Sequence, residues 1–428
     1  MSHELSLSQK HTRKVALARN LKKERPMRIS RVHAHTISDT RDRDTIETTL
    51  FTDKFEATAS IPSGKSTGAH EAKELRDDDG SVTTAIHNVT GEIADALSER
   101  DFSNVGELDA FLCELDGTQD KSRLGANAIL SVSIAMARLF AQEAHIPLWR
   151  FIADTAKTTS AAPRLFVNVM NGGAHADFRL PIQEQILVVG EETLKESVTT
   201  AHEAFVQLGD LLRKELPELP MGDEGGYSPA FDTIERPFEL LTDIVSKWGN
   251  TSIAIDSAAN ELLDGNEYVL LKKRYTSDEL LELYTQLVER FHFHAIEDPF
   301  AESDKQSFTK ITAKLGEKVI IIGDDLIVTN PKLIEDAVEH KYINATLIKP
   351  NQIGTVSETI DAVHKTYDAG WHAVVSHRSG ETYDTFIADL AYGIGAHGIK
   401  AGGLAQQQRL AKYERLRTIE REATELSQ

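Results

Sequence analysis

The stretch Val374-Val375-Ser376-His377-Arg378-Ser379-Gly380-Glu381-Thr382 turns abruptly from an apolar run into a cluster suited to gripping an anion. Arg378 offers a planar fork of donors for phosphate oxygens, Ser379 adds a hydroxyl, and Gly380 lets the backbone approach a ligand closely. The same change recurs along the C-terminal two-thirds. Ile253-Ala254-Ile255 runs into Asp256, Ala295-Ile296 into Glu297-Asp298-Pro299, and Val319 to Ile322, through Gly323, into Asp324-Asp325. Leu347-Ile348 then meets Lys349, and Ile399 meets Lys400. Apolar runs alternating with helical segments at spacings of roughly 25 to 40 residues have the size of a βα repeat and predict a parallel barrel. A barrel gathers the loops that follow its strands on one rim, so three successive carboxylate deliveries and the cations after them share that rim.

Working outward, the helices between these runs carry ordinary signals. Thr276 with Glu279 reads as a capping box ahead of an apolar stripe of Leu280, Leu281, Tyr284, Leu287, Val288 and Phe291. Asn330 followed by Pro331 marks another helix start. Residues 155–164 lack an apolar face and read as a linker. Before it, residues 27–154 predict a small α+β domain: alternation over residues 28–37 and 45–61 suggests a sheet, and helical spacing follows over residues 126–144. After it, residues 165–420 form the barrel. Residues 1–26 hold seven Lys/Arg against Glu4 and Glu24 and read as a frayed or loosely docked extension.

Composition narrows the function classes. The chain has 428 residues, 67 Asp+Glu against 47 Lys+Arg, and a formal charge of -20, which opposes nonspecific binding to nucleic acid or anionic membrane. An anionic substrate then needs local cations or bound metal. Cys113 is the sole cysteine, so no intrachain disulfide forms and a reducing, cytoplasmic setting is expected. No apolar run approaches the roughly 18 residues that span a bilayer.

Asp or Glu after one strand is usually a turn residue or a cap; three in consecutive repeats point elsewhere. Packed carboxylates repel unless something positive lies among them, and an all-oxygen set suits a hard divalent ion such as Mg²⁺ better than zinc. Lys349 and Lys400 reach the same rim. Two ammonium groups beside a divalent ion are expected to lower a lysine pKa, leaving a neutral amine able to take a proton from carbon.

The segments Asp256-Ser257-Ala258-Ala259, Ile296-Glu297-Asp298-Pro299-Phe300, Gly323-Asp324-Asp325-Leu326, Ile348-Lys349-Pro350-Asn351-Gln352 and Ser376-His377-Arg378-Ser379-Gly380-Glu381-Thr382 together resemble the enolase family. So do Pro62-Ser63-Gly64-Lys65-Ser66-Thr67-Gly68, Leu124-Gly125-Ala126-Asn127, Asn171-Gly172-Gly173-Ala174-His175, Gln183-Glu184 and Gly222-Asp223-Glu224-Gly225-Gly226, in that order. The likeness covers about residues 27–420. It implies a TIM-type (β/α)8 barrel of the enolase variant behind a smaller α+β domain, and dehydration of 2-phosphoglycerate to phosphoenolpyruvate with two Mg²⁺ per site. It implies Asp256, Glu297 and Asp324 as ligands of the tighter ion, with Ser66 helping to bind the second. Lys349 matches the base for the C2 proton, and Lys400 the cation facing the substrate carboxylate. Glu224 matches the acid for the C3 hydroxyl, with Glu184 beside it; their mutual repulsion is expected to keep one of them protonated. Arg378 and Ser379 match phosphate contacts, and His175 and His377 match active-site histidines. A homodimer or larger homo-oligomer is also implied.

Two segments depart from the family. Asp39-Thr40-Arg41-Asp42-Arg43-Asp44-Thr45 lacks the usual glycine and proline, and Gln406-Gln407-Gln408-Arg409 replaces an Arg-Ser-Glu-Arg; both lie near the subunit contact in the family. Gly64-Lys65-Ser66-Thr67 looks like the end of a P-loop, but Ala59 stands where that motif needs glycine, and the segment reads as a flexible lid. The competing readings are a sugar-acid dehydratase of the same superfamily, which ignores the phosphate cluster, and a noncatalytic scaffold.

Overall fold

The computed structural model describes residues 26–65 and 68–427. The extension read at residues 1–26, apart from Pro26, and the lid residues Ser66 and Thr67 lie outside the described residues.

Alternating apolar positions fold the N-terminal part into an antiparallel meander of β1 (Arg31–Ser38), β2 (Asp44–Phe51) and β3 (Glu56–Ser60). Its inner face, with Ile46, Leu50, Ala57 and Ala59, packs on α1 (Ala126–Glu143), which is buried along almost its whole length. A helix at Leu148–Ala156 closes this part, and irregular chain leads to Arg164.

Eight strands then close into a barrel: β4 (Arg164–Asn171), β5 (Glu184–Val189), β6 (Thr251–Asp256), β7 (Ala295–Glu297), β8 (Ile320–Gly323), β9 (Ala345–Ile348), β10 (His372–Ser376) and β11 (Gly398–Gly402). Inward-pointing Phe166, Ile186, Val188, Ala254, Ala295, Ile322, Ala345, Leu347 and Val374 fill its interior. The larger core lies between strands and surrounding helices, as expected for strands buried on both faces. The barrel class holds, but one strand departs from the parallel expectation. β5 runs antiparallel to both β4 and β6, and two helices, α2 (Leu194–Glu215) and α3 (Arg236–Val245), separate it from β6. The helix starts are as expected: Thr276 and Glu279 make both bonds of a capping box on α4 (Ser277–Phe291), and Asn330 caps α5 (Pro331–His340) with Pro331 in its first turn. Among the described residues, no helix is long and apolar enough to cross a membrane.

The N-terminal part is bolted to the barrel rim. Ser63 and Gly380 exchange backbone hydrogen bonds of 2.8 and 2.9 Å. A side chain at Gly380 would collide with Asp39 Oδ2 and crowd Ser63 Oγ, so the missing bulk admits these neighbours rather than a ligand. Arg138 on α1 forms a fork with Asp384, Nη1 to Oδ2 at 2.7 Å and Nη2 to Oδ1 at 2.6 Å, and Asp384 also accepts from Ser60 and Phe386 backbone amides. Asp384→Ala strands a shielded guanidinium and is expected to destabilise the protein by about 3 kcal/mol in denaturant unfolding. Burial opposes ionisation of Asp384, but Arg138 outweighs it and lowers the folded pKa. The pair's contribution is therefore full above the unfolded carboxylate value of about 4 and is lost as pH falls through the lower folded value.

Candidate active site

Strand register places the first carboxylates side by side. Glu184 at the start of β5 pairs with Asp256 at the end of β6, which pairs with Glu297 at the end of β7. Lys400 on β11 is buried and reaches all three: its Nζ lies 2.9 Å from Asp256 Oδ2, 2.9 Å from Glu297 Oε2 and 3.2 Å from Glu184 Oε1. Burial disfavours the ammonium, yet Asp256, Glu184 and Glu297 overcome it and hold Lys400 well above the usual lysine range.

Lys349, just past β9, forms an ion pair with Asp324, which also accepts from Gln352 Nε2 at 2.8 Å. A divalent ion is part of the expected lowering of a lysine pKa, and the protein's own groups do not produce that lowering at Lys349. Burial works in that direction, but the contact with Asp324 prevails and raises Lys349 above its ordinary value. Asp324 is felt by Glu297 across the rim, and its close neighbours are Asp298 and Asp325, each of the three offering an oxygen within 4.8 Å of the others'.

These residues fit a hard divalent cation. The donors are carboxylate oxygens, and several are crowded beyond what the local cations neutralise. Burial, then Asp256, push Glu297 well above the carboxylate range; burial, then Asp325 and Asp324, do the same to Asp298; burial and Asp324 bring Asp325 to about 7. Added positive charge among them relieves that repulsion.

Glu184 also belongs to an acid pair with Glu224, whose charge acts on it. Glu224 lies on the segment between α2 and α3, held by Asn168 Nδ2 at 3.0 Å, with His175 Nδ1 at 3.4 Å and His377 Nε2 at 3.7 Å. The expected repulsion drives the two carboxyls apart, and the one raised is Glu184 rather than Glu224, which the resemblance made the acid. Burial and then Glu224 drive Glu184 far upward, while His175, His377 and Arg409 outweigh burial and hold Glu224 far below the usual range. Burial also depresses His377, with Arg409, Lys400 and Lys349 adding to the effect against Glu224.

The residues matched to phosphate contacts lie together, with Arg378 engaged by protein groups. Arg378 is buried and forks onto Glu71 at 2.9 and 3.3 Å, with Asn351 Oδ1 at 3.1 Å. Ser379 Oγ is buried without a hydrogen-bond partner, an orphan that a ligand oxygen would satisfy. His175, Glu184, Glu224, Asp256, Asp324, Lys349, His377, Arg378, Ser379 and Lys400 all line one polar cavity at this rim, and Glu297 sits behind, reached through Lys400. Lys65 crosses the cavity mouth to Asp223 Oδ2 at 2.7 Å and Ala174 O at 2.8 Å, which is not a nucleotide-loop arrangement.

Residues 29–152 match the family model for the enolase N-terminal domain, and residues 159–428 match that for the enolase C-terminal TIM barrel domain. The chain belongs to the enolase family. It is 42% identical to Enolase 1 of Methylococcus capsulatus over 92% of this chain and 97% of that relative. It is 41% identical to the enolase of Thermococcus kodakarensis over 93% and 96%. With the enolase of Anaplasma phagocytophilum, 40% identity extends over 92% and 94%. The class of chemistry that goes with the enolase family is that of a lyase, a phosphopyruvate hydratase.

The family's departures in this chain are now placed. Thr40 N donates to Glu381 O at 2.9 Å and Thr40 Oγ1 to Ser379 O at 3.1 Å, while Gln406 Nε2 donates to Asp223 O at 3.1 Å. Both altered segments therefore buttress the active-site rim within this chain. Sequence reading missed Glu71, Asn168, Gln352 and Arg409: Asn168 lies inside the apolar strand β4 rather than at its end, and the other three lie away from strand ends.

Proposed function

We propose that this enolase interconverts 2-phosphoglycerate and phosphoenolpyruvate, with Lys349 moving the C2 proton and the Glu184–Glu224 pair handling the C3 hydroxyl. The observation that supports this best is the convergence on one cavity of Lys349, the mutually repelling Glu184 and Glu224, and the Arg378–Ser379 cluster. Dehydration breaks the C2–H bond toward the Lys349 amine; the C3–O bond then breaks and the departing hydroxide takes the carboxyl proton, giving water. In hydration the same groups act in reverse, and the Lys349 ammonium paired with Asp324 is the form that direction uses. Arg378 and Ser379 orient the phosphate, and Lys400 presents positive charge toward the substrate carboxylate.

Asp256, Glu297 and Asp324 are the proposed holders of one Mg²⁺, and Ser66 contributes to a second. Bound there, the ions supply positive charge that offsets the negative charge developing on the substrate carboxylate. A lysine base working beside Mg²⁺ is general to this superfamily. The same reading takes residues 27–154 and 165–420 as the two domains. It also takes the working form as a cytoplasmic homodimer or larger homo-oligomer with no nucleic-acid or membrane partner.

Adding 2-phosphoglycerate and Mg²⁺ should produce the ultraviolet absorbance of phosphoenolpyruvate, and chelation should remove it. No product from correctly folded, Mg²⁺-loaded protein favours the scaffold reading instead. Asp324→Asn should raise the Mg²⁺ concentration for half-maximal activity by at least the roughly 10- to 100-fold typical of losing a metal's outer partner. An unchanged requirement removes Asp324 from the ligand set.

A further inference from the structure

We infer that Arg409 is a positioning residue for the dehydration, fixing His377 in the tautomer that turns its Nε2–H toward Glu224. The inference deepens the proposed function and rests on it for the purpose of the device, but not for its geometry.

Arg409 lies on the C-terminal helix α6 (Gln407–Ser427), 32 residues from His377 in the chain, and its side chain is 0% exposed. Every edge of its guanidinium is engaged. Nε donates to Gln406 Oε1 at 2.5 Å, Nη2 to Ser379 O at 2.8 Å and to Asp223 O at 3.2 Å, and Nη1 to Arg378 O at 3.3 Å and to His377 Nδ1. A guanidinium only donates and does not lose its proton in proteins, so Nδ1 must be the acceptor. The single proton of neutral His377 is then on Nε2, which faces Glu224 Oε2 at 3.7 Å. One side chain thus ties the backbone beside Glu224 to the backbone of the phosphate cluster and orients the imidazole between them.

Gln406 gives this arrangement a feature particular to the chain. It accepts from Arg409 Nε and donates to Asp223 O, closing a ring of bonds around the acid segment. The groups acting on His377 are Glu224, which favours its charged form, and Arg409, Lys400 and Lys349, which with burial oppose it. Removing Arg409 therefore moves the His377 pKa upward.

The test begins with the full-length protein without substrate, labelled with ¹⁵N-histidine, His377 being assigned by the signal lost in His377→Gln. At neutral pH, Nδ1 should be unprotonated and Nε2 protonated; a native Nδ1–H tautomer overturns the inference, whatever the enzyme's activity. Arg409→Met should then release that tautomer and lower kcat by roughly 10- to 100-fold, the size seen when metal-ligating histidines lose the partner that fixes their tautomer. KM for 2-phosphoglycerate should change less than kcat, and the acid limb of the kcat–pH profile should move to higher pH. Arg409→Lys, which keeps the charge without the fork, should return the limb toward native. An unmoved limb and unmoved tautomer in folded Arg409→Met overturn the assignment. Should Arg409→Met fail to fold, Gln406→Ala removes only the Nε acceptor, and a smaller shift in the same direction is required of it; none overturns the inference.

Discussion

Lys349→Ala is expected to abolish exchange of the C2 proton of 2-phosphoglycerate with solvent and to lower kcat by roughly 10⁴-fold, the upper end for a proton-transferring group. The size follows from the lack of a substitute. Lys400, the more deeply buried amine of the cavity, has three carboxyl groups within 3.2 Å, Asp256 foremost, that hold its proton. Exchange is read by the loss of the C2 hydrogen signal in deuterated water, independently of product formation. Persistent exchange in the folded variant removes Lys349 from the base role, and the reaction would then need another proton acceptor. Metal binding should be measured alongside, because the substitution also leaves Asp324 without its ion-pair partner.

Glu184→Gln and Glu224→Gln should each slow dehydration by roughly 10²- to 10⁴-fold while leaving C2 exchange measurable. A glutamine at 184 removes the proton store, because that carboxyl is the one held far above its ordinary range. A glutamine at 224 removes the charge that makes its partner keep the proton, and with it the anchor for His175 and His377. The two groups act as a unit, so the double variant should lose scarcely more than either single one. Multiplicative losses, or exchange vanishing together with dehydration, contradict the separation between the base and the acid pair.

Asp256, Glu297, Asp324, Lys349, His377, Arg378 and Lys400 could be read from sequence because each sits within or just after the final residue of an apolar run. In a barrel that local pattern is enough to reach the rim. Glu184 was found only through its motif, since it begins rather than ends its strand. Arg409, Glu71 and Gln352 had no such mark: they meet the site through contacts spanning 32, 307 and 28 residues of chain, and no periodicity encodes those. Charge state was less legible still. Among the protein's own groups, one contact with Asp324 outweighs burial and raises Lys349, and which glutamate is pushed upward depends on two histidines and an arginine around Glu224.

The reversed β5 has a topological consequence. A chain that climbs β4 and descends β5 must turn over the catalytic mouth, and residues 172–183 of that turn carry His175 and Gln183. Having reached the floor at Val189, it must climb β6 from the floor again, which permits only an even number of helical crossings between the two strands. The observed pair, α2 and α3, satisfies this parity, and their junction falls at the mouth with Glu224 on it. Flipping a single strand thus keeps two connections on the working face but makes one of them a strand-to-strand turn and the other, carrying Glu224, a helix-to-helix junction.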